Sequence, residues 1–172
     1  AWRMGERLAI HGGSPVRSAM LAYGRQWIDE DDVAAVTAAL KSDWITTGPR
    51  VAEFEEALAA RVGARHAVAV SSGTAALHAA AFAAGLKPGD EAIAPPLTFA
   101  ATTNCVLYQG GTPVFADIRP DTLTLDPADV ERKLTPRTRA LILVDFAGHP
   151  CDLDRLLELR LHNHQDCGEI HC

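Results

Sequence analysis

The sequence predicts an α/β fold with a mostly parallel sheet and flanking helices. Between residues 66 and 159, short apolar runs that suit buried strands alternate with segments whose apolar residues recur at helical spacing. The 172 residues are 48% hydrophobic and 22% charged, which is typical of a globular rather than a disordered chain. The longest apolar runs, such as 140–144, are far shorter than the ~20 residues of a membrane-spanning helix.

Each element of this alternation has its own signal. Apolar residues at helical spacing indicate helices at 29–41, 51–62, 75–84, 99–108, 127–134 and 152–159. Short apolar runs bounded by turn residues indicate strands at 66–70, 91–95, 113–116 and 139–144. Gly63 and Gly85 follow two of the helices, where glycine commonly ends a helix. After residue 159 the pattern stops, and no further strand is predicted although the alternation requires one.

Three regions are expected from this organisation. Residues 1–28 lack periodicity and are predicted to form an extended N-terminal arm, residues 29–159 carry the α/β pattern, and residues 160–172 form an unmatched tail. The tail contains five potential metal ligands, which are His162, His164, Cys167, His171 and Cys172. Their spacing matches no closed zinc site, so we predict no metal.

Charge and cysteine content narrow the class of protein. The net charge of −6 disfavours a general nucleic-acid binder. No membrane segment or apolar leader is visible, and the four cysteines show no CxxC spacing. We therefore expect a cytoplasmic protein with reduced thiols that binds neither nucleic acid nor membrane.

The sharpest local signal runs from Ser71 to Thr74, between a predicted strand and a predicted helix. Free N–H groups at a helix N-terminus bind anions, and small residues allow the anion to come close. Gly73 would let a phosphate approach the backbone, and Ser72 and Thr74 could add hydroxyl donors. The alternative is an ordinary N-cap, for which serine and threonine are also favoured.

Phe99 follows a predicted strand, and ligands of open α/β sheets bind outside the carboxyl ends of the strands. An aromatic ring there could stack on a flat cofactor, whereas the alternative is a phenylalanine of the core. Asp117 and Asp145 also end predicted strands, and for each we favour a structural role over a chemical one. Irregular segments at 23–25 and 44–48 carry aromatic, hydroxyl and cationic side chains, and loops are where binding groups collect.

Six segments occur in one order along the chain: YGRQWIDEDDVAAV, SDWITTGPRVAEFE, HAVAVSSGTAALH, GDEAIAPPLTFAATTN, GGTPVFADI and TPRTRALILVDFAGHPCDLD. Together they resemble the DegT/DnrJ/EryC1/StrS family of pyridoxal-phosphate sugar aminotransferases over roughly residues 8–159. The resemblance implies part of the large domain of the type I aminotransferase fold, with 29–159 as an incomplete cofactor-binding domain. It also implies pyridoxal 5'-phosphate as cofactor and a homodimer with its sites at the interface.

Roles for individual residues follow from the same resemblance. Gly73 and Thr74, with Ser72 nearby, would hold the cofactor phosphate. Phe99 would stack on the pyridine ring, and Asn104 would lie close to the cofactor.

The substrate side of the resemblance is a nucleotide sugar. Tyr23, Arg25, Thr46 and Thr47 would lie near its path. The motifs YGRQ and VDFAGHPCDLD favour the branch that moves an amino group from an amino acid, with glutamate expected, to a UDP-linked 4-keto-6-deoxy sugar, as in pseudaminic acid synthesis.

The family's Schiff-base lysine, and the aspartate that pairs with the pyridine nitrogen, follow the segment that matches 153–159. Lys41, Lys87 and Lys133 are the lysines of this chain, and none stands in such a motif. We therefore assign no catalytic residue and expect the chain to be inactive alone. Two alternatives stay open: a non-catalytic fragment that binds the cofactor phosphate or an intact subunit, and the dehydration reaction of some family members.

Overall fold

The computed structural model describes residues 9–15, 17–19, 24–163 and 168–171. The chain divides into two compact units, Ala1–Glu53 and Phe54–Cys172. The first unit contains a short 3-10 turn, Ala9–His11, and helix α1, Glu30–Leu40. Helix α2, Pro49–Val62, begins in the first unit and ends in the second.

Helix α1 begins where the acidic cluster predicts it. The Asp29 carboxylate accepts hydrogen bonds from the N–H groups of Asp31 and Asp32, at 3.1 and 3.2 Å. The Asp32 carboxylate accepts from the N–H of Asp29 at 3.0 Å, which completes a capping box. Acidic groups at the positive end of the helix dipole add to this stabilisation.

The second unit is built on a four-stranded sheet in the order β2-β1-β3-β4, with every neighbouring pair parallel. The strands are β1 (Glu91–Ala94), β2 (Thr112–Phe115), β3 (Thr138–Leu143) and β4 (Gly168–His171). In register, Ile93 lies beside Val114 on one side and Leu141 on the other. Because all strands are parallel, their carboxyl ends lie at one edge of the sheet.

Helices cover both faces of this sheet. They are α3 (Gly73–Ala83), α4 (Ala101–Tyr108), α5 (Pro127–Lys133) and α6 (Leu153–Asn163). Ile93, Leu141 and Leu143 pack in one buried cluster with residues of α5 and α6. Ala92 and Ile142 point to the opposite face and pack with residues of α3 and α4. Each fully buried leucine or isoleucine contributes about 1.5–3 kcal/mol, so both faces stabilise the fold.

Glu91 is the first residue of β1, at the end of the sheet where the strands begin, and it is only 6% exposed. Its carboxylate accepts hydrogen bonds from the Thr135 hydroxyl at 2.5 Å and from the Arg137 guanidinium, whose Nε lies 2.9 Å away. The Thr135 hydrogen bond and the Arg137 guanidinium lower the pKa of Glu91. This group ties the start of β1 to the turn that leads into β3.

The structure confirms the predicted helices and three of the four predicted strands, with two corrections. The prediction of a strand at 66–70 is wrong, because this segment pairs with no other strand in the described chain. Conversely, β4 forms at Gly168–His171, where no strand was predicted, because β3 offers it a pairing edge. The helix predicted at 152–159 continues to Asn163. None of the described helices is long and apolar enough to cross a membrane.

Candidate functional site

The start of α3 has the geometry of an anion cradle. Ser72 caps the helix, since its Oγ accepts a hydrogen bond from the Ala75 N–H at 3.2 Å. The N–H groups of Gly73 and Thr74 make no hydrogen bond to the described part of the chain. A Cβ added at Gly73 would meet nothing within 4 Å, so the space beside the Gly73 backbone is open.

The electrostatics and hydroxyl groups of this helix start also favour an anion. No acidic residue lies in the first turn of α3, so nothing there opposes the positive end of the helix dipole. Because the Ser72 Oγ acts as an acceptor toward Ala75, its own proton remains available for donation. The cap and the cradle are therefore compatible uses of the same residue.

Phe99 lies at the carboxyl edge of the sheet, in the loop that joins β1 to α4. Its side chain is 77% exposed, which rules out the core alternative. The loop is held in place because the hydroxyls of Thr98 and Thr102 are hydrogen-bonded at 2.8 Å. The Phe99 carbonyl accepts from the Thr102 N–H at 3.0 Å. The ring is thus presented to solvent by a fixed backbone.

Asn104 lies on α4, one turn beyond Phe99. It is half-buried, and its side-chain amide has no hydrogen-bond partner among the residues that the structure describes. Helix α4 packs on α3, where the rings of His78 and Tyr108 meet with centroids 5.1 Å apart. The structure thus places Asn104 on the helix that packs against α3, and Phe99 in the loop that leads into that helix.

The residues expected near the sugar path belong to the first unit. Thr46 and Thr47 are exposed in the turn before α2, and Thr47 adopts a φ of 48°. A Cβ at Gly48 would lie 2.6 Å from the Cβ of Trp44, so this tight turn requires glycine. Arg25 is exposed, and Tyr23 lies outside the described residues.

The carboxylates of Asp117 and Asp145, which follow strands, accept hydrogen bonds from backbone N–H groups. The Asp145 carboxylate accepts from the Cys151 N–H at 3.0 Å, and the Asp117 carboxylate accepts from the Ile118 N–H at 2.8 Å. Asp129 accepts from the Asp117 N–H at 2.6 Å, and this bond is the main cause of the lowered pKa of Asp129. The bonds support the structural role favoured for Asp117 and Asp145.

A cleft beside β2 lies apart from the predicted site residues, and the described residues contain no metal-binding cluster. A cleft of about 520 Å³ opens beside the carboxyl end of β2, between Asp117 and Lys133, but no predicted site residue lines it. Within the described residues, no group of three or more histidine, cysteine or acidic side chains could hold a metal. His164, Cys167 and Cys172 lie outside those residues.

The sequence patterns did not indicate Glu55 of α2. Its carboxylate accepts a hydrogen bond from the N–H of Ala69 at 2.7 Å, three residues before Ser72. The only signal in the sequence is an acidic residue within an amphipathic helix, which ordinarily marks a solvated face. Its contact depends on tertiary structure.

An open parallel sheet with helices on both faces, and a helix start whose first N–H groups lack partners in the described chain, define an α/β domain of the kind that binds ligands at the carboxyl ends of its strands. The chain belongs to the DegT/DnrJ/EryC1/StrS aminotransferase family, whose model matches residues 26–165. The predicted family is thereby confirmed.

Named relatives agree with this assignment. SpsC of Bacillus subtilis, a spore coat polysaccharide biosynthesis protein, is 48% identical over 141 residues, which are 82% of this chain and 36% of SpsC. MJ1066 of Methanocaldococcus jannaschii is 40% identical over 144 residues, which are 84% of this chain and 37% of MJ1066. The chain therefore spans just over a third of the length of these relatives.

Solved structures show the same fold. DesV of S. venezuelae superposes with a TM-score of 0.75 at 40% identity, covering 81% of this chain and 37% of DesV. The PLP-form of Spr1654, a putative sugar aminotransferase of Streptococcus pneumoniae, gives 0.76 at 35% identity and covers 81% and 36%. The predicted fold class, an incomplete large domain of the type I aminotransferase fold, is confirmed.

Proposed function

We propose that this chain is the part of a pyridoxal-phosphate-dependent sugar aminotransferase that holds the phosphate and ring of the cofactor. The observation that carries the proposal is the start of α3, where the Gly73 and Thr74 N–H groups lack partners in the described chain and a Cβ added at Gly73 would meet nothing within 4 Å. The family assignment supports pyridoxal phosphate as the anion concerned. Spr1654, a relative of the same fold, is known in both a PLP-form and a PMP-form.

The described residues fit this cofactor. The phosphate would accept hydrogen bonds from the N–H groups of Gly73 and Thr74 and from the hydroxyls of Ser72 and Thr74. The exposed ring of Phe99 would cover one face of the pyridine, and Asn104 would lie at its edge. When bound, pyridoxal phosphate takes an amino group from a donor and passes it to a carbonyl.

The chain's own residues would bind and orient rather than transfer protons. Lys41 is the C-cap of α1, Lys87 lies in the turn before β1, and Lys133 ends α5. None of these lysines lies in a loop that directly follows the carboxyl end of a strand, as Phe99 does. We therefore propose that these residues alone do not catalyse amino transfer.

The finer activity is proposed from the sequence motifs. The parent enzyme would transfer an amino group from an amino acid, glutamate being expected, to a UDP-linked 4-keto-6-deoxy-N-acetylhexosamine. The product would be UDP-4-amino-4,6-dideoxy-N-acetyl-β-L-altrosamine. SpsC, which acts in polysaccharide biosynthesis by its name, supports a sugar substrate. A homodimer in the cytoplasm, with Tyr23, Arg25, Thr46 and Thr47 near the sugar, completes the proposal.

Phosphate-dependent cofactor binding tests this function. We expect the chain to bind pyridoxal phosphate more tightly than pyridoxal, which lacks the phosphate, and Gly73→Val to reduce that preference by filling the open approach. The control Gly24→Val lies in the first unit, at a glycine outside the left-handed region where nothing within 4 Å opposes a Cβ. Equal affinity of the wild-type chain for both compounds would contradict the cradle.

Borohydride reduction tests the proposed lack of catalysis. After incubation with pyridoxal phosphate, we expect mass spectrometry to show no stoichiometric adduct on Lys41, Lys87 or Lys133. A single lysine that is fully modified would overturn the proposal and would itself become the candidate catalytic residue.

A second candidate function is the binding of an intact subunit without catalysis. The observation that favours it is the exposed apolar surface of α2, where Phe54, Leu58 and Val62 are 56%, 41% and 65% exposed. Co-expression with a tagged full-length relative would test it. Recovery of this chain in a one-to-one complex is expected, and its absence from the purified relative would contradict this role.

A further inference from the structure

The segment that leads into the cradle is held by a side chain instead of a sheet. Residues 65–71 belong to no strand of the described sheet. Along them, Ala67 and Ala69 are half-buried, whereas Val68 and Val70 are 78% and 43% exposed. This alternation is that of an extended chain lying with one side against the protein.

One end of the segment is fixed where α2 stops. The N–H of Ala64 donates to the carbonyl of Ala59 at 2.9 Å, and Gly63 adopts a φ of 69°. This is a glycine-ended Schellman turn, which reverses the chain in a defined direction. It does not, however, fix the chain several residues further on.

The other end is fixed by Glu55. Its Oε1 accepts from the Ala69 N–H at 2.7 Å, in partly buried surroundings. Among the described residues, this is the one hydrogen bond made by a backbone group between Ala64 and Ser72. Hydrogen bonds to an ionised carboxylate are stronger than those between neutral groups. Glu55 therefore sets where the chain lies immediately before the helix cap.

We propose that Glu55 is a positioning residue that sets the direction in which Gly73 and Thr74 present their N–H groups. The inference rests on the proposed function, because it concerns the same phosphate site. Glu55 does not touch the phosphate. It acts through the Ala69 N–H and the two residues, Val70 and Ser71, that separate Ala69 from Ser72.

Three variants test the proposal. Glu55→Ala removes the acceptor, Glu55→Gln keeps a neutral one, and Glu56→Ala alters the exposed neighbour on α2, for which no bond is described. The measured quantity is the ratio of the affinities for pyridoxal phosphate and pyridoxal, obtained by fluorescence titration. A general loss of stability would lower both affinities, whereas mispositioned N–H groups lower the ratio.

We expect Glu55→Ala to lower this ratio by roughly tenfold, the scale of one hydrogen bond to a charged group. Glu55→Gln should restore most of the ratio, and Glu56→Ala should leave it unchanged. An unchanged ratio in Glu55→Ala, or an equal fall in Glu56→Ala, would overturn the proposal.

Hydrogen exchange of the peptide covering 66–74 separates this inference from the proposed function, since it needs no ligand. Faster exchange is expected in Glu55→Ala than in wild type, with Glu55→Gln between them. Unchanged exchange would overturn the positioning role. Faster exchange in a chain whose wild type binds both compounds equally would instead refute the phosphate site and keep the role of Glu55 in holding the segment.

Discussion

The central sheet and the segment before α3 hold their backbones in different ways. Strand β1 pairs with a strand on each side, and all four of its residues are buried. The segment 65–71 has no strand partner in the described chain, and Val68 is 78% exposed. One region is fixed by many cooperative contacts, and the other by a helix turn and one carboxylate.

Because of this difference, we expect the residues that determine stability and the residues that bind ligand to lie in different regions. Residues that set the free energy of unfolding are expected in the sheet, where burial is complete. Residues proposed to bind the phosphate directly follow a segment that has one described backbone hydrogen bond, and weakly supported segments are common beside ligands. Substitutions in the two regions should therefore affect different measurements.

The largest effect is expected from Ile93→Ala. Ile93 is fully buried in the core cluster, so truncation should reduce the free energy of unfolding by about 2–5 kcal/mol. The matched change in the other region, Val68→Ala, should alter it by no more than about 0.5 kcal/mol. Urea unfolding at low protein concentration measures both. A comparable loss for the two variants would abolish the distinction between the regions.

Glu91→Ala should have the next largest effect, about 1–3 kcal/mol, since it removes the acceptor of the Thr135 hydroxyl and of Arg137. The substitution Glu53→Gln is the control, because among the described residues Glu53 makes one exposed ion pair, with Arg50. Such pairs contribute little to stability.

The lowered pKa of Glu91 also predicts a pH dependence. The folded pKa lies below the unfolded value of about 4.3, so the stabilisation is complete above that pH. It is lost as the pH falls through the folded pKa. Urea unfolding between pH 7 and pH 3 should therefore show a smaller acid-induced loss in Glu91→Gln than in wild type. Identical acid profiles would refute this assignment.

Two substitutions at Ser72 distinguish its role as a helix cap from its proposed role in anion binding. Ser72→Ala removes the acceptor for the Ala75 N–H and should cost about 1 kcal/mol. Ser72→Asp keeps a capping oxygen but places a negative charge where the phosphate would bind. Thermal unfolding should thus rank Ser72→Asp close to wild type, while titration with pyridoxal phosphate should rank it below Ser72→Ala. The reverse order of affinity would count against an anion at this helix start.

Most of the sheet and helices could be predicted because their signals are local. Apolar periodicity located α2 and α3, and Gly63 marks the end of α2 as expected. Strand formation requires a partner, which no local pattern reveals. The segment 66–70 has the composition of a strand and lacks a partner in the described chain, whereas Gly168–His171 lacks that composition and is paired by β3.

The candidate site divides in the same way. The cap at Ser72 and the strand-end position of Phe99 follow from short motifs and from the general geometry of α/β sheets. Glu55 could not be found, because its contact with Ala69 joins residues 14 apart in sequence through a turn. The roles of Tyr23, Arg25, Thr46 and Thr47, and the regions 1–28, 29–159 and 160–172, remain predictions.

The smallest effect on stability is expected for Phe99→Leu, which makes it the sharpest test of the distinction. Phe99 and Phe82 are almost equally exposed, at 77% and 74%, so neither ring contributes much to the core. Leucine at either position should change the free energy of unfolding by less than about 0.5 kcal/mol.

The two variants should nevertheless differ in cofactor binding. If the Phe99 ring stacks on the pyridine, Phe99→Leu should weaken binding by roughly three- to tenfold, the scale of an aromatic contact, for pyridoxal and pyridoxal phosphate alike. Phe82→Leu should weaken neither. Because the loss is common to both compounds, it is distinct from the phosphate-specific loss expected at Gly73. Equal affinities in the two variants would leave the exposed ring of Phe99 without a ligand and confine the site to the helix start.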